Sequence, residues 1–284
     1  MSDADHDQDA AGTTGSARAS SSAVDRPVVQ TARRVGRFGR GKEKSAVFRG
    51  VAAVGAPLFD RLARLDIRGG EKLPAEGAFV LAPNHYTNID PVVVARAMWQ
   101  LGRVPRFLAK ASLFRVPVFG RLMHAMGHVP VERGGRTHAS DPLAAGRALA
   151  SSGGGVIIYP EGTLTRDPDL WPMKGKSGAV RLAVQAGVPL VPMAHWGSQQ
   201  VMGRYSAKIS LFPRKRITVA IGDPIDLSAF RGRHLDQAAW AEATALVMRG
   251  ITDLLEELRG EAAPASPWDP HEKNQKETGR FEQI

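Results

Sequence analysis

Short apolar runs alternate with longer stretches of helical apolar spacing through the middle of the chain. The short runs are typical of strands, which we predict at 78–82, 106–109, 155–159, 189–194, 206–212 and 216–221. The longer stretches predict helices at 91–100, 117–125, 138–151, 176–186 and 236–258. This alternation predicts an α/β fold with a mostly parallel central sheet flanked by helices.

The two ends of the chain differ from this middle part. Residues 1–28 are mostly Ser, Ala, Thr, Gly and Asp, so we expect a disordered tail. Residues 29–65 place a basic patch before apolar positions at close to helical spacing, which predicts an N-terminal amphipathic helical segment. The α/β domain should then cover 66–259, and the Pro- and charge-rich residues 260–284 should form an extended C-terminal tail.

The net charge is +10, and most of it lies in that N-terminal segment. Seven Lys and Arg side chains stand between Thr31 and Gly50 against one acid, Glu43. This combination is typical of a segment lying in an anionic membrane surface, and it also fits a first helix packed on the domain. The longest uncharged apolar run, Val51 to Phe59, is shorter than the roughly 20 residues that a transmembrane helix needs. Basic charge alone also fits a nucleic-acid-binding protein, although only 6% of the residues are aromatic.

The stretch between the first predicted strand and the first predicted helix carries candidate chemistry. His85 follows the strand 78–82, and Asp90-Pro91 has the composition of a helix start. A carboxylate that reaches such a His fixes its tautomer and stabilises its imidazolium. Because the chain has no Cys, we expect this pair to deprotonate a hydroxyl of the substrate itself. The alternative is that His85 satisfies a loop hydrogen bond and Asp90 caps a helix.

Three apolar runs of the predicted strands, at 78–82, 155–159 and 189–191, are each followed by a proline and then polar groups. Parallel strands bring their carboxyl ends to one edge, where open α/β sheets bind ligands, so we place His85 and Glu161-Gly162-Thr163 in one site. Gly162 permits a tight turn, and Arg166 offers a planar fork for phosphate. Lys110 and Arg133 follow other apolar runs and could complete a phosphate pocket. We interpret His195, beside Trp196, as a packing or rim residue.

The order of these motifs resembles that of a known family. His85 and Asp90, then Arg133, then Glu161-Gly162-Thr163, then Val191-Pro192, resemble the four motif blocks of the glycerolipid acyltransferases, above all the bacterial PlsC-type 1-acylglycerol-3-phosphate acyltransferases. The resemblance covers about residues 45–260, and the stretch 159–178 looks like an actinobacterial branch. The chain departs from the common pattern at Leu164, where the family has Arg.

The resemblance implies that His85, held by Asp90, activates the free hydroxyl of lysophosphatidic acid. That oxygen would attack acyl-CoA or acyl-carrier protein and give phosphatidic acid for phospholipid synthesis. It also implies that Glu161, Gly162 and Arg133 hold the glycerol phosphate head. Together with the candidates from the strand ends, the expected substrate-binding residues are Asn84, Lys110, Arg133, Glu161, Gly162, Thr163 and Arg166. We expect no metal or other cofactor and no nucleic-acid partner, and a peripheral position on the cytoplasmic face of the cell membrane without a transmembrane span. The alternatives are the same chemistry on another lysophospholipid or an amino-lipid.

Overall fold

The computed structural model describes residues 46–131, 148–149 and 151–275 of the chain. Its helices, apart from short 3₁₀ turns, are α1 (Ala46–Leu62), α2 (Asp90–Gln100), α3 (Ala111–Phe114), α4 (Phe119–Ala125), α5 (Gly178–Ala186) and α6 (Gln237–Arg259). Its strands are β1 (Ala63–Arg68), β2 (Phe79–Pro83), β3 (Arg106–Lys110), β4 (Val129–Val131), β5 (Gly155–Ile157), β6 (Leu190–Trp196) and β7 (Lys215–Ile221).

The strands form one sheet in the order β1-β7-β6-β2-β5-β3-β4. Every neighbouring pair is parallel except β6 and β7, which are antiparallel. The predicted fold class, α/β with a mostly parallel sheet and flanking helices, is therefore confirmed. None of the helices in the described ranges is long and apolar enough to cross a membrane.

Two expectations about local structure are wrong. The predicted strand 206–212 is part of the β6–β7 loop, whose residues 207–214 are all exposed and pair with no strand. Strand β1 begins at Ala63, inside the segment expected to be helical, because its pairing with β7 satisfies its backbone. The predicted disordered tail 1–28, the basic patch before Ala46 and most of the predicted helix 138–151 lie outside the described residues. The predicted domain bounds stay a prediction.

The core lies on both faces of the sheet because side chains alternate along each central strand. In β2, Phe79 and Leu81 join one apolar cluster with Val93 of α2 and Phe59 of α1. Val80 and Ala82 join the other cluster, which contains residues of α5 and α6. The register pairs Leu81 with Ile157 and with Val191. The carboxyl ends of β2, β5 and β6 therefore lie on the same side of the sheet, and the predicted site residues follow them.

The residues after α6 fold back onto the domain. Met173 and Trp268 form an isolated parallel bridge, in which the Lys174 N–H donates to the Trp268 carbonyl at 2.9 Å. The Lys174 ammonium forms an ion pair with Asp269, also at 2.9 Å. This part of the predicted extended tail thus braces the chain segment that follows the Glu161 motif.

Candidate active site

His85 lies in the loop between β2 and α2, and its main chain is held on both sides. Its N–H donates to Oε1 of Glu161 at 2.9 Å, and its carbonyl accepts from the Thr165 N–H at 2.7 Å. The imidazole stacks on Tyr159 with 4.1 Å between ring centroids. The two sequence motifs, which are 76 positions apart, therefore meet in one site.

Asp90 is the first residue of α2, and its carboxylate gathers donors from the loop before it. Oδ2 accepts from His85 Nδ1 at 3.1 Å and from the N–H groups of Tyr86 and Thr87, both at 2.7 Å. Oδ1 accepts from the Ser198 hydroxyl at 2.7 Å and from the Thr87 hydroxyl. Asp90 is completely buried, so protein groups replace its water shell. The turn expected between His85 and Asp90 is present.

The electrostatics of the pair suit proton transfer. Burial by itself raises the pKa of Asp90, but the nearby His195 ring and the hydrogen bonds from His85 and Thr87 outweigh it and lower the pKa to about 2. An ionised carboxylate at Nδ1 favours the tautomer with its proton on that nitrogen. Nε2 of His85 is then a base, and no described residue hydrogen-bonds to it. With 16% of its side chain exposed, His85 can receive a substrate hydroxyl.

Glu161 is buried beneath this pair. Its Oε1 holds the His85 N–H, and its Oε2 accepts from the Met173 N–H at 3.1 Å. Burial raises the pKa of Glu161 to about 8, against the opposing effect of these two hydrogen bonds. Since the carboxylate is 0% exposed and both oxygens hold main-chain groups, the geometry gives Glu161 a positioning role. Its predicted contact with substrate stays a prediction.

Asn84 has a similar supporting position. Its amide nitrogen donates to the His195 carbonyl at 3.1 Å, and its Oδ1 accepts from the His195 N–H at 3.0 Å. The side chain thus extends the pairing of β2 with β6 by one step and is 2% exposed. Both amide ends thus contact the main chain of β6. The predicted role of Asn84 in substrate binding stays a prediction.

The structure shows less about the other predicted substrate-binding residues. Gly162 has φ +72° and donates its N–H to the Tyr159 carbonyl at 3.0 Å, which makes the expected tight turn. Thr163 is half-buried in the same turn, and Arg166 is buried at 3% exposure. Lys110 is the last residue of β3, and Arg133 lies outside the described residues. Among the described residues no group of three or more His, Cys, Asp and Glu side chains could hold a metal ion.

Sequence reasoning missed the residues that support Asp90 from β6. Ser198 follows that strand and donates to Oδ1, so the rule used for the other strand ends could have found it. Of the two interpretations of His195, a packing residue fits and a rim residue does not. Its side chain is completely buried, stacks on Tyr86 with centroids 5.1 Å apart, and places Nε2 3.9 Å from Asp90 Oδ1. Burial lowers the pKa of His195, against the opposing effect of the Asp90 charge. A buried imidazole beside the carboxylate could not be inferred from its position in the sequence.

Comparison with known proteins agrees with this geometry. Residues 64–196, which contain both motifs, match the family model described as Acyltransferase. A chloroplastic 1-acyl-sn-glycerol-3-phosphate acyltransferase of Brassica napus is 34% identical over 140 residues, which are 49% of this chain and 39% of that protein. A 1-acyl-sn-glycerol-3-phosphate acyltransferase of Haemophilus influenzae is 30% identical over 181 residues, which are 62% of this chain and 69% of that protein.

A solved structure has the same fold. The 1-acyl-sn-glycerophosphate (LPA) acyltransferase PlsC of Thermotoga maritima aligns with a TM-score of 0.54 and 21% identity over 80% of this chain and 86% of that one. That likeness shows the α/β fold, and the sequence matches are to acyltransferases. The chain belongs to the 1-acyl-sn-glycerol-3-phosphate acyltransferase family, as predicted, although it spans about two fifths of the length of the Brassica relative. The resemblance to an actinobacterial branch stays a prediction.

Proposed function

We propose that this protein transfers a fatty acyl group from a thioester to the free hydroxyl of lysophosphatidic acid. The observation that carries the proposal is the His85–Asp90 pair, with Nδ1 and Oδ2 3.1 Å apart and Nε2 left to a substrate. Membership of the family supports the choice of reaction and of acceptor. The proposed donor is acyl-CoA or acyl-carrier protein, because both present the same thioester.

The proposed reaction balances without a covalent enzyme intermediate. Nε2 of His85 accepts the hydroxyl proton while the oxygen attacks the thioester carbonyl carbon. The new C–O bond forms, the C–S bond breaks, and the imidazolium returns its proton to the leaving thiolate. Asp90 stabilises the imidazolium meanwhile, since its carboxylate is ionised and fixed by main-chain donors.

We propose that the phosphate of the acceptor lies against the loops that follow β3, β4 and β5. Lys110, Arg133 and Arg166 would supply charge, Gly162 would let the phosphate approach the main chain closely, and Thr163 would supply a hydroxyl. Leu164, which is 7% exposed and stands where the family pattern has Arg, favours a second candidate with a different lysophospholipid or amino-lipid acceptor. An acceptor panel separates the two: an enzyme for lysophosphatidic acid should lose most of its rate on uncharged monoacylglycerol.

The central test is thiol release from acyl-CoA in the presence of lysophosphatidic acid. We expect His85→Ala to abolish release while its circular dichroism and melting temperature stay near those of the wild type. His234→Ala is the matched control, because His234 is an exposed His outside the site. Turnover by His85→Ala near the wild-type rate would show the proposal to be wrong.

We further propose that the protein works as a peripheral protein on an anionic membrane surface, on the cytoplasmic face of the cell membrane, through residues 29–65. Helix α1, the described part of this segment, leaves Val47, Val51, Val54 and Leu58 exposed at spacings of one helical face. Flotation with liposomes should retain the full chain when an anionic lipid is present. A chain that stays with the unbound protein under those conditions would contradict surface attachment.

A further inference from the structure

The exposed apolar side chains are unevenly distributed over the described residues. Of the fourteen large ones, four lie on α1, five lie between Leu113 and Leu122, and three lie in the β6–β7 loop. Only Val92 and Leu246 lie elsewhere. Single exposed apolar residues are normal on a protein surface, but twelve on three segments form a pattern that marks an interaction site. We call these three segments, α1, 113–122 and 207–214, the apolar belt.

Contacts at the two ends of α1 connect the three segments. Near its start, the Phe48 ring lies 6.4 Å from His128, which follows α4 by three positions. After its end, Ala63 pairs with Lys215, and its carbonyl accepts from the Arg214 guanidinium at 3.4 Å. Because β4 and β1 are the two edge strands, α1 crosses the width of the sheet from segment 113–122 to the β6–β7 loop.

The charge around the belt has one sign. Residues 91–131 contain six Lys and Arg and no acid, and residues 197–222 contain five and no acid. The one acid of α1, Asp60, is neutralised by a two-pronged contact with Arg96, at 3.1 and 2.8 Å. Apolar side chains interleaved with cations, with few carboxylates and those paired with Arg, complement the acyl boundary and the anionic headgroups of a bilayer.

The β6–β7 loop is the most exposed part of the belt. Phe212 is 85% exposed, Leu211 52% and Ile209 47%, and the exposed cations Lys208 and Arg214 flank them. Eight consecutive residues, 207–214, are exposed, and the Ser210 N–H in their middle donates to the Val201 carbonyl at 2.8 Å. An aromatic and two aliphatic side chains at the tip of a basic loop are suited to entering lipid.

We infer that the β6–β7 loop inserts its apolar tip into an anionic phospholipid surface, and that segment 113–122 contacts the same surface at the opposite edge of the sheet. The inference rests on the proposed function and extends it from one helix to a three-point contact. Helix α2, which begins with Asp90, is tied to α1 through Arg96, and its first turn carries the half-exposed Val92. Such a contact therefore holds the active site next to the lipid that contains its acceptor.

The test compares binding of the full chain to phosphatidylcholine vesicles with and without phosphatidylglycerol. The double variant Leu211→Ser/Phe212→Ser should bind the anionic vesicles about tenfold or more weakly, since it removes most of the apolar area of the loop. Val118→Ser/Phe119→Ser, at 76% and 44% exposure, should weaken binding in the same direction. The matched control is Leu246→Ser, on α6 outside the belt and 39% exposed, which should bind like the wild type.

A second assay separates this inference from the proposed function. Turnover is measured with a short-chain lysophosphatidic acid and a short-chain acyl-CoA, both dispersed in water without vesicles. The loop variant should keep wild-type turnover there and lose it on vesicle-embedded acceptor. Wild-type-like vesicle binding by the loop variant, an equal loss in Leu246→Ser, or equal binding to both vesicle types would overturn the inference. Absence of turnover in the wild type would count against the proposed function and leave the vesicle result standing.

Discussion

Asp90→Asn removes one charge from the site while leaving its hydrogen-bond geometry almost intact. With the amide oxygen at the Oδ2 position, Asn still accepts from His85 Nδ1 and from the N–H groups of Tyr86 and Thr87. The amide nitrogen at the Oδ1 position faces the hydroxyls of Thr87 and Ser198, which can accept as well as donate. The variant should therefore fold and keep the His85 tautomer.

Asp90→Asn should destabilise the state in which His85 carries the extra proton. A charge pair separated by 3.1 Å interacts by about 5 kcal/mol at an effective dielectric constant of roughly 20, which is an upper limit for what the carboxylate supplies. Each 1.36 kcal/mol corresponds to about tenfold in rate, so kcat should fall by roughly 10³- to 10⁴-fold. The same calculation predicts little change in KM, because the charge forms after the substrate binds.

The assay is thiol release at saturating acyl-CoA and lysophosphatidic acid, with denaturant unfolding measured in parallel. Ser198→Ala is the matched control, because it removes one neutral donor to Oδ1 and keeps the charge. It should lower kcat by no more than about tenfold, in line with the roughly 1 kcal/mol net value of one hydrogen bond. An Asp90→Asn enzyme that folds and keeps more than a tenth of the wild-type kcat would refute the electrostatic reasoning.

Four further predictions concern Glu161, Asn84 and Gly162. Glu161→Gln places an amide donor against the N–H of His85 or of Met173. The kcat should therefore fall about 10- to 100-fold with KM nearly unchanged. A kcat equal to that of the wild type would contradict the positioning role. Because the pKa of Glu161 is raised from 4.5 to about 8, folding favours its protonated form. Urea unfolding should thus show wild-type stability falling relative to Glu161→Gln between pH 5 and pH 8, and a pH-independent difference would count against this. Asn84→Ala leaves the buried His195 N–H and carbonyl without partners and should cost about 1–3 kcal/mol in urea unfolding. Asn84→Asp sets a buried carboxylate oxygen against the His195 carbonyl and should cost at least as much, and a wild-type stability of either variant would contradict this role. In Gly162→Ala the added Cβ has room, since its nearest neighbour is Lys176 at 3.4 Å, but a residue at φ +72° is strained. The free energy of unfolding should therefore fall by about 1 kcal/mol. An unchanged melting temperature would argue against this strain.

The chain sequence was sufficient for the fold class and for the pairing of His85 with Asp90. The strands β2, β3, β5, β6 and β7 lie close to their predicted positions because each is an apolar run bounded by Pro, Gly or charge, a local signal. The pairing of His85 with Asp90 is also local, since five positions and one turn separate the two side chains. The family was recognisable for the same reason, as its motifs are short runs in a fixed order.

What the sequence could not decide depends on which strands become neighbours. β1 was not predicted because its backbone partner, β7, lies about 150 positions away in the sequence. The run 206–212 has strand-like composition but pairs with no strand of the sheet.

The supporting residues were out of reach for a related reason. Glu161, Asn84 and Ser198 are polar and follow strands. From the sequence, Glu161 and Asn84 were therefore interpreted as substrate ligands, and Ser198 was missed. Only the tertiary structure turns their polar atoms toward the main chain of His85, the end of β6 and the carboxylate of Asp90. The sequence by itself thus determined which groups do the proposed chemistry. The fold decided which polar groups lose their water and must hold the others in place, because burial depends on contacts between distant parts of the chain.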